Sequence, residues 1–105
     1  MHHQTHLTSL ESSILSLNVD EVKSLLVTDP LLKSSIDWDK IIITMCDMTD
    51  SSRCIEILSL FDFTDRNFRR SSLKIIMERV SSIDRYPVLQ HLAGLMLRMA
   101  FEKES

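Results

Sequence analysis

The sequence predicts an all-α protein of about six helices in three antiparallel pairs. Apolar residues recur with the 3.6-residue period of amphipathic helices along most of the 105 residues. One glycine and two prolines leave little from which to build β-hairpins. A segment beginning at Asn18 recurs in pattern 33 residues later at Ser51, so that Val22 corresponds to Ile55. A period of this length is typical of stacked helical repeats.

In the first half of the chain, apolar spacing and stop signals place three helices. The first helix carries Leu7, Leu10, Ile14 and Leu17 at helical spacing. The second follows Asn18 or Asp20, either of which can cap a helix N-terminus, and it ends at Asp29-Pro30. An irregular or weakly helical connection follows. The triplet Ile41–Ile43 is assigned to a third helix, because no second strand exists to pair with it.

The second half continues the same pattern. A polar break over 47–52 starts the fourth helix at about Ser51, and a fifth begins at Ser71 after the polar stretch 62–70. The loop 81–85 leads to a sixth helix, whose first turn accommodates Pro87. The expected core consists of Leu10, Ile14, Val22, Leu25, Ile43, Ile55, Leu58, Leu73, Ile76, Val88 and Leu92. The predicted boundaries are a flexible N-terminal tail over 1–6, one helical domain over 7–101 and a C-terminal tail over 102–105.

Charge and composition narrow the function classes. The net charge is −3, but residues 1–65 carry a net −7 and residues 66–105 a net +4. Such polarity can steer an oppositely charged protein or dock copies head to tail. The basic half lacks interleaved aromatic residues and a zinc pattern, so we expect no nucleic-acid partner. No 18-residue apolar run and no signal peptide stand out, and the two cysteines fit a reduced setting. The prediction is an intracellular protein, cytoplasmic or nuclear, without a membrane partner.

Residues that could carry chemistry are scattered along the chain. His2, His3 and His6 have no nearby cysteine or carboxylate to complete a metal site. Cys46 lacks an adjacent base, and His91 lacks a serine or carboxylate at motif spacing. No HExxH, GxSxG or P-loop motif occurs. We therefore expect no catalytic residue, no metal and no cofactor, in a protein that is not an enzyme.

Four segments within about residues 7–93 resemble parts of the ankyrin repeat. The segment 17–26 is similar to the Gly-Asn/His-x-x-Val-Val-x-Leu-Leu motif that leads into the second helix of that family. Thr8-Ser9-Leu10-Glu11 and Ser71-Ser72-Leu73-Lys74 stand where its Thr-Pro-Leu-His segment opens the first helix. Residues 26–32 followed by Asp37 resemble its finger loop. The family's turn glycines are replaced by Leu17, Asp50, Asp39 and Arg69.

Two other segments favour an alternative family. Residues 86–92 and 53–58 are similar to parts of the six-helix death-fold domain of the caspase-recruitment (CARD) type. This resemblance implies homotypic assembly in apoptotic or innate-immune signalling, between an acidic and a basic face. The expected contacts would join Asp20, Glu21, Asp37 or Asp39 of one copy to Arg53, Arg69, Arg70 or Arg79 of another.

The ankyrin resemblance implies a non-catalytic protein–protein interaction module, acting as an adaptor or inhibitor. Its contact surface would be built by the connecting segments, and the partner-binding residues expected there are Trp38, Asp39, Asp62, Arg66, Arg69 and Arg70. Trp38 is either an exposed anchor, since tryptophan is enriched at binding hot spots, or a large core residue. The partner is expected to be another protein, with self-association through the acidic and basic halves as a second mode.

Overall fold

The computed structural model describes residues 8–104, and every regular element within that range is helical. The six α-helices are α1 (Ser9–Leu15), α2 (Val19–Thr28), α3 (Trp38–Cys46), α4 (Ser51–Leu58), α5 (Arg66–Glu78) and α6 (Pro87–Glu104). A first 3₁₀ helix (Pro30–Ser35) connects α2 to α3, and a second (Val80–Arg85) connects α5 to α6. The all-α class predicted from the apolar period is confirmed.

Polar side chains fix where the helices begin. Asn18, Asp37, Asp50 and Asp65 each accept a hydrogen bond from a backbone N–H in the first turn of the helix that follows. These N–H groups have no partner inside the helix, so each cap stabilises a helix start. The expected cap at Asn18 and the expected start of α4 at Ser51 are confirmed.

Two predicted boundaries differ from the structure. Asp65 accepts the N–H groups of Asn67 and Phe68 at 3.0 and 3.1 Å, so α5 begins at Arg66 and the predicted start at Ser71 is wrong. At the other end of the chain, α6 continues past the predicted boundary at 101 to Glu104. The predicted N-terminal tail over 1–6 lies outside the described residues.

Most of the expected core residues are buried. Those confirmed are Leu10, Ile14, Val22, Leu58, Ile76, Val88 and Leu92. Leu25 and Ile55 are half-buried and pack against the core, and Leu73 is half-buried. The expectation fails at Ile43, which is 37% exposed. On α3, Trp38, Ile41, Ile42 and Met45 form the buried stripe, and Ile43 lies a further 100° around the helix.

The helices contact both their chain neighbours and more distant helices. Consecutive contacts join α1 to α2, α3 to α4 and α5 to α6, while α3 has its most extensive contact with α5 and also touches α1 and α6. In addition, α2 contacts α4, and α4 contacts α6. The molecule measures 46 × 29 × 23 Å, so it is longer than it is wide.

The repeat seen in the sequence is shifted by one residue in the structure. The caps Asn18 and Asp50 are 32 residues apart, whereas the sequence pattern predicts 33. Val22 is therefore equivalent to the fully buried Cys54, not to the half-buried Ile55. The apolar run 54–58 supports either register on sequence grounds, and the position of the cap decides between them.

Candidate protein-contact surface

A shallow groove lies where the N-terminal ends of α3 and α5 meet. Its volume is about 250 Å³, and it is called the α3–α5 groove below. It is lined by Ile36, Asp37, Trp38, Asp39, Asn67, Arg70, Ser71 and Lys74. The groove brings together three of the predicted contact residues: Trp38 and Asp39 belong to α3, and Arg70 belongs to α5.

One wall of the groove is joined to the other by an ion pair. Lys74 Nζ donates a hydrogen bond to Asp39 Oδ2 at 3.0 Å. Hydrogen bonds from Ser71 and then from Lys74 lower the pKa of Asp39, and the bond to Asp39 raises the pKa of Lys74. Because both side chains are largely exposed, water and salt screen the pair, and it adds little to stability. Its main effect is to neutralise Asp39 within the groove.

The groove is also lined by Asp37, whose carboxylate accepts the backbone N–H of Lys40, and the basic residues near it continue along α5. Arg66, Arg70 and Lys74 are spaced four residues apart on α5, which places them on one face of that helix. Within residues 8–102, the ion pairs formed are Asp50–Arg53 and Asp39–Lys74, so Arg66 and Arg70 have none. A guanidinium group can bind a carboxylate through two parallel hydrogen bonds. This edge of the molecule can therefore bind carboxylates from outside.

Trp38 lies beneath the groove and is 1% exposed, so its expected role as an exposed anchor is wrong. Its ring centroid is 4.7 Å from that of Phe61 and 4.6 Å from that of Phe68, with Phe63 packed against Phe68. In the sequence, the feature that indicates this aromatic cluster is the presence of Phe63 and Phe68 within the otherwise polar stretch 62–70. Among the described residues, the Trp38 Nε1–H is one of three buried side-chain groups without a hydrogen-bond partner.

The remaining predicted contact residues do not line this groove. Asp62 lies in the turn before α5, where it accepts hydrogen bonds from the hydroxyl and the backbone N–H of Thr64. The hydroxyl bond is the main cause of the lowered pKa of Asp62. Arg66 lies one helical turn before Arg70. Arg69 lines a different surface.

That second surface is called the α5–α6 groove below. Its volume is about 250 Å³, and it is lined by Phe63, Arg69, Leu73, Met96, Met99 and Ala100. Met96 and Met99 are half-buried and pack against the core from one side. The methionine-rich end of the chain therefore closes part of the core and also lines an open apolar surface.

A third depression, of about 520 Å³, lies at the turn before α2. It is lined by Asp20, Lys23, Arg53 and Glu56 together with residues 16–19. Its two acidic and two basic side chains balance in number, as Asp37 and Asp39 balance Arg70 and Lys74 in the α3–α5 groove.

The groups capable of other chemistry lie apart from these grooves. Among the described residues, no three side chains of His, Cys, Asp or Glu are placed to share a metal ion, and His2, His3 and His6 lie outside that range. Burial raises the pKa of the Cys46 and Cys54 thiols, which disfavours the reactive thiolate. Burial, with a smaller effect of Arg98, lowers the pKa of His91.

Comparisons of the chain with known protein families, with curated proteins and with solved structures find no match. Within the described part of the chain, none of the helices combines the length and the apolar character needed to cross a lipid bilayer.

Proposed function

We propose that this chain is a non-catalytic protein-interaction module built from ankyrin-like helical repeats, and that it binds an acidic segment of another protein at the α3–α5 groove. As an adaptor or inhibitor, it would act by recognition alone. The observation that carries the proposal is Arg70, which lines the groove beside the Asp39–Lys74 pair, together with Arg66 one helical turn earlier on α5. Neither guanidinium group forms an ion pair within residues 8–102.

Contacts between helices of different pairs support a repeat arrangement. At the start of α1, Glu11 accepts the backbone N–H of Asp37, the cap of α3, at 2.7 Å. At the start of α3, Asp39 is joined to Lys74 of α5. In the proposed repeat arrangement α1, α3 and α5 would be the first helices, and these two contacts would join each of them to the next, the second at the middle of α5. Contacts of α2 with α4 and of α4 with α6 make a second row, as expected where each pair stacks on its neighbour.

The backbone geometry at α1 and at the turn between α1 and α2 supports the resemblance to the ankyrin repeat. Leu17 has a φ of 60°, and among the described residues it is the non-glycine residue with positive φ. That conformation favours glycine, and Leu17 stands where the ankyrin family has a turn glycine. Thr8, at the first position of the proposed opening segment, caps α1 and forms a capping box with Glu11. The segment Ser71–Lys74 gives no such support, because it lies inside α5.

Apolar groups accompany the charges along the proposed contact surface. Ile43 follows Asp39 by one turn on α3, and Met77 follows Lys74 by about one turn on α5. These side chains are 37% and 75% exposed. Carboxylates meeting Arg66 and Arg70, with an apolar side chain on Met77, would satisfy both kinds of group. An acidic, partly apolar segment is the partner chemistry that fits.

A quantitative capture experiment tests the proposal. The wild-type chain, the double variant Arg66→Glu/Arg70→Glu and the control variant Arg85→Glu are each immobilised and exposed to cell extract, and bound proteins are quantified by mass spectrometry. Arg85 is exposed on the second 3₁₀ helix and does not line the groove.

We expect a set of proteins that the wild type and Arg85→Glu retain equally and the double variant loses. Their binding should weaken with added salt, because screening reduces attraction between exposed charges. Equal recovery by all three chains would contradict the assignment of the groove. Turnover of a small substrate by the wild-type chain would contradict the non-catalytic role.

A further inference from the structure

The α5–α6 groove is an apolar surface that no other described residue covers. Residues of α5, α6 and the turn before α5 line it, and no residue of α1–α4 does. A cavity of ~150 Å³ can hold a benzene molecule, so a groove of about 250 Å³ is large enough for a leucine side chain. Methionine side chains adapt to varied shapes, which suits Met96 and Met99 to receiving an inserted group.

The same chain carries an exposed apolar segment that includes a carboxylate. Val27 and Leu31 are the most exposed large apolar side chains among the described residues, at 83% and 80%. They flank Asp29, at the junction of α2 and the first 3₁₀ helix. An exposed apolar pair with a carboxylate between its members matches an apolar groove with a guanidinium at its edge.

Charge complementarity supports joining these two surfaces. Asp29 and Arg69 form no ion pair among the described side chains. They also belong to the two differently charged parts of the chain, residues 1–65 with a net −7 and residues 66–105 with a net +4. We infer that the α5–α6 groove binds a second copy of this chain, with Leu31 inserted among Leu73, Met96 and Met99 and with Asp29 paired to Arg69. This inference does not depend on the proposed acidic partner of the α3–α5 groove.

The proposed contact determines how copies of the chain would assemble. Donor and acceptor are different surfaces of one molecule, so the contact is head to tail and each added copy leaves a free donor and a free acceptor. Interfaces smaller than about 1,000 Å² are weak or transient, and a single segment in a shallow groove falls in that class. The chain should be monomeric when dilute and form open-ended oligomers when concentrated.

Two variants separate the donor from the acceptor. Leu31→Asp charges the donor at an exposed position, and Ala100→Glu narrows and charges the acceptor at an exposed helical position. Neither change removes a buried side chain, so both chains should fold, as circular dichroism can verify. Each chain alone and their equimolar mixture are examined by sedimentation velocity across concentration.

We expect the sedimentation coefficient of the wild type to rise continuously with concentration, while each variant alone stays monomeric. The mixture should form a dimer and nothing larger, because only one intact donor can meet one intact acceptor. A monomeric wild type at every concentration would overturn the inference. So would association that survives Leu31→Asp, since the groove would then contact another surface. A mixture that stays monomeric would overturn it as well.

A charge exchange tests the ion pair separately. Arg69→Asp and Asp29→Lys should each weaken association, and the double variant Asp29→Lys/Arg69→Asp should restore it through a Lys–Asp contact between copies. Asp84→Lys makes the same change of charge as Asp29→Lys at another exposed acidic residue, and it should leave association close to that of the wild type. If Asp29→Lys and Asp84→Lys weaken association equally, the weakening comes from the change in net charge. That result would contradict the proposed Asp29–Arg69 pair.

Discussion

Glu11 joins α1 to the cap of α3, and its removal gives the sharpest test of how these two helices are held together. The side chain is 5% exposed. Its Oε1 accepts the backbone N–H of Thr8 at 3.0 Å, and its Oε2 accepts that of Asp37 at 2.7 Å. One carboxylate therefore serves the caps of both α1 and α3. We predict that Glu11→Ala destabilises the whole domain and not α1 alone.

The magnitude follows from these two hydrogen bonds. A hydrogen bond to a charged group contributes roughly 1.5–3 kcal/mol net, so losing both costs about 3–6 kcal/mol. Water can reach the partly buried Thr8 N–H and recover part of this, which leaves about 2–4 kcal/mol. In Glu11→Gln one acceptor oxygen remains, so the expected loss is about 1–3 kcal/mol. Small domains are stable by only about 5–15 kcal/mol, which makes either loss easy to measure.

Urea unfolding followed by far-ultraviolet circular dichroism measures these losses. With a denaturant slope of about 2 kcal/mol per molar, a loss of about 3 kcal/mol lowers the midpoint by roughly 1.5 M. Glu56→Ala is the matched control, because Glu56 is exposed on α4 and should change stability by less than about 0.5 kcal/mol. If Glu11→Ala unfolds at the same urea concentration as Glu56→Ala, the reasoning that Glu11 couples α1 to α3 is refuted.

Three further predictions concern the turn, the aromatic cluster and the buried imidazole. Leu17→Gly should be more stable than Leu17→Ala by about 1 kcal/mol in urea unfolding. Both variants lose the leucine side chain, but only glycine relieves the strain of the positive φ. The reverse order of stability would contradict this backbone conformation. Trp38→Ala should lower the free energy of unfolding by about 3–5 kcal/mol in the same assay. The fluorescence of Trp38 in the wild type should resist iodide quenching, because the ring is 1% exposed. Efficient quenching would contradict this burial. Burial and Arg98 lower the pKa of His91 in the folded state from 6.5, so the unfolded state binds more protons and stability should fall as the pH drops below about 6.5. His91→Gln should reduce that slope, and an unchanged slope would exclude His91 as its source.

Local features of the sequence were sufficient to predict the helical class and several helix boundaries. The apolar period reports which residues share one side of a helix, and a cap such as Asn18 acts on the backbone only three residues away. Both effects depend on neighbours in the chain, so they can be read without a fold. The start predicted for α5, at Ser71, shows where apolar spacing is insufficient. The segment 66–70 contains few apolar residues, and the helix begins at Arg66 because Asp65 caps it.

Only the tertiary structure decided which helix faces meet. The Ile41–Ile43 run offers three apolar neighbours, and the packing of α3 against α5 and α6 buries two of them and leaves Ile43 outside. The same packing covers Trp38 with Phe61 and Phe68, and it brings Arg70 beside Asp39 while turning Arg69 toward α6. Periodicity fixes the direction of a side chain relative to its own helix. Its neighbours depend on how all six helices pack together, and that packing is set by interactions between residues far apart in the sequence.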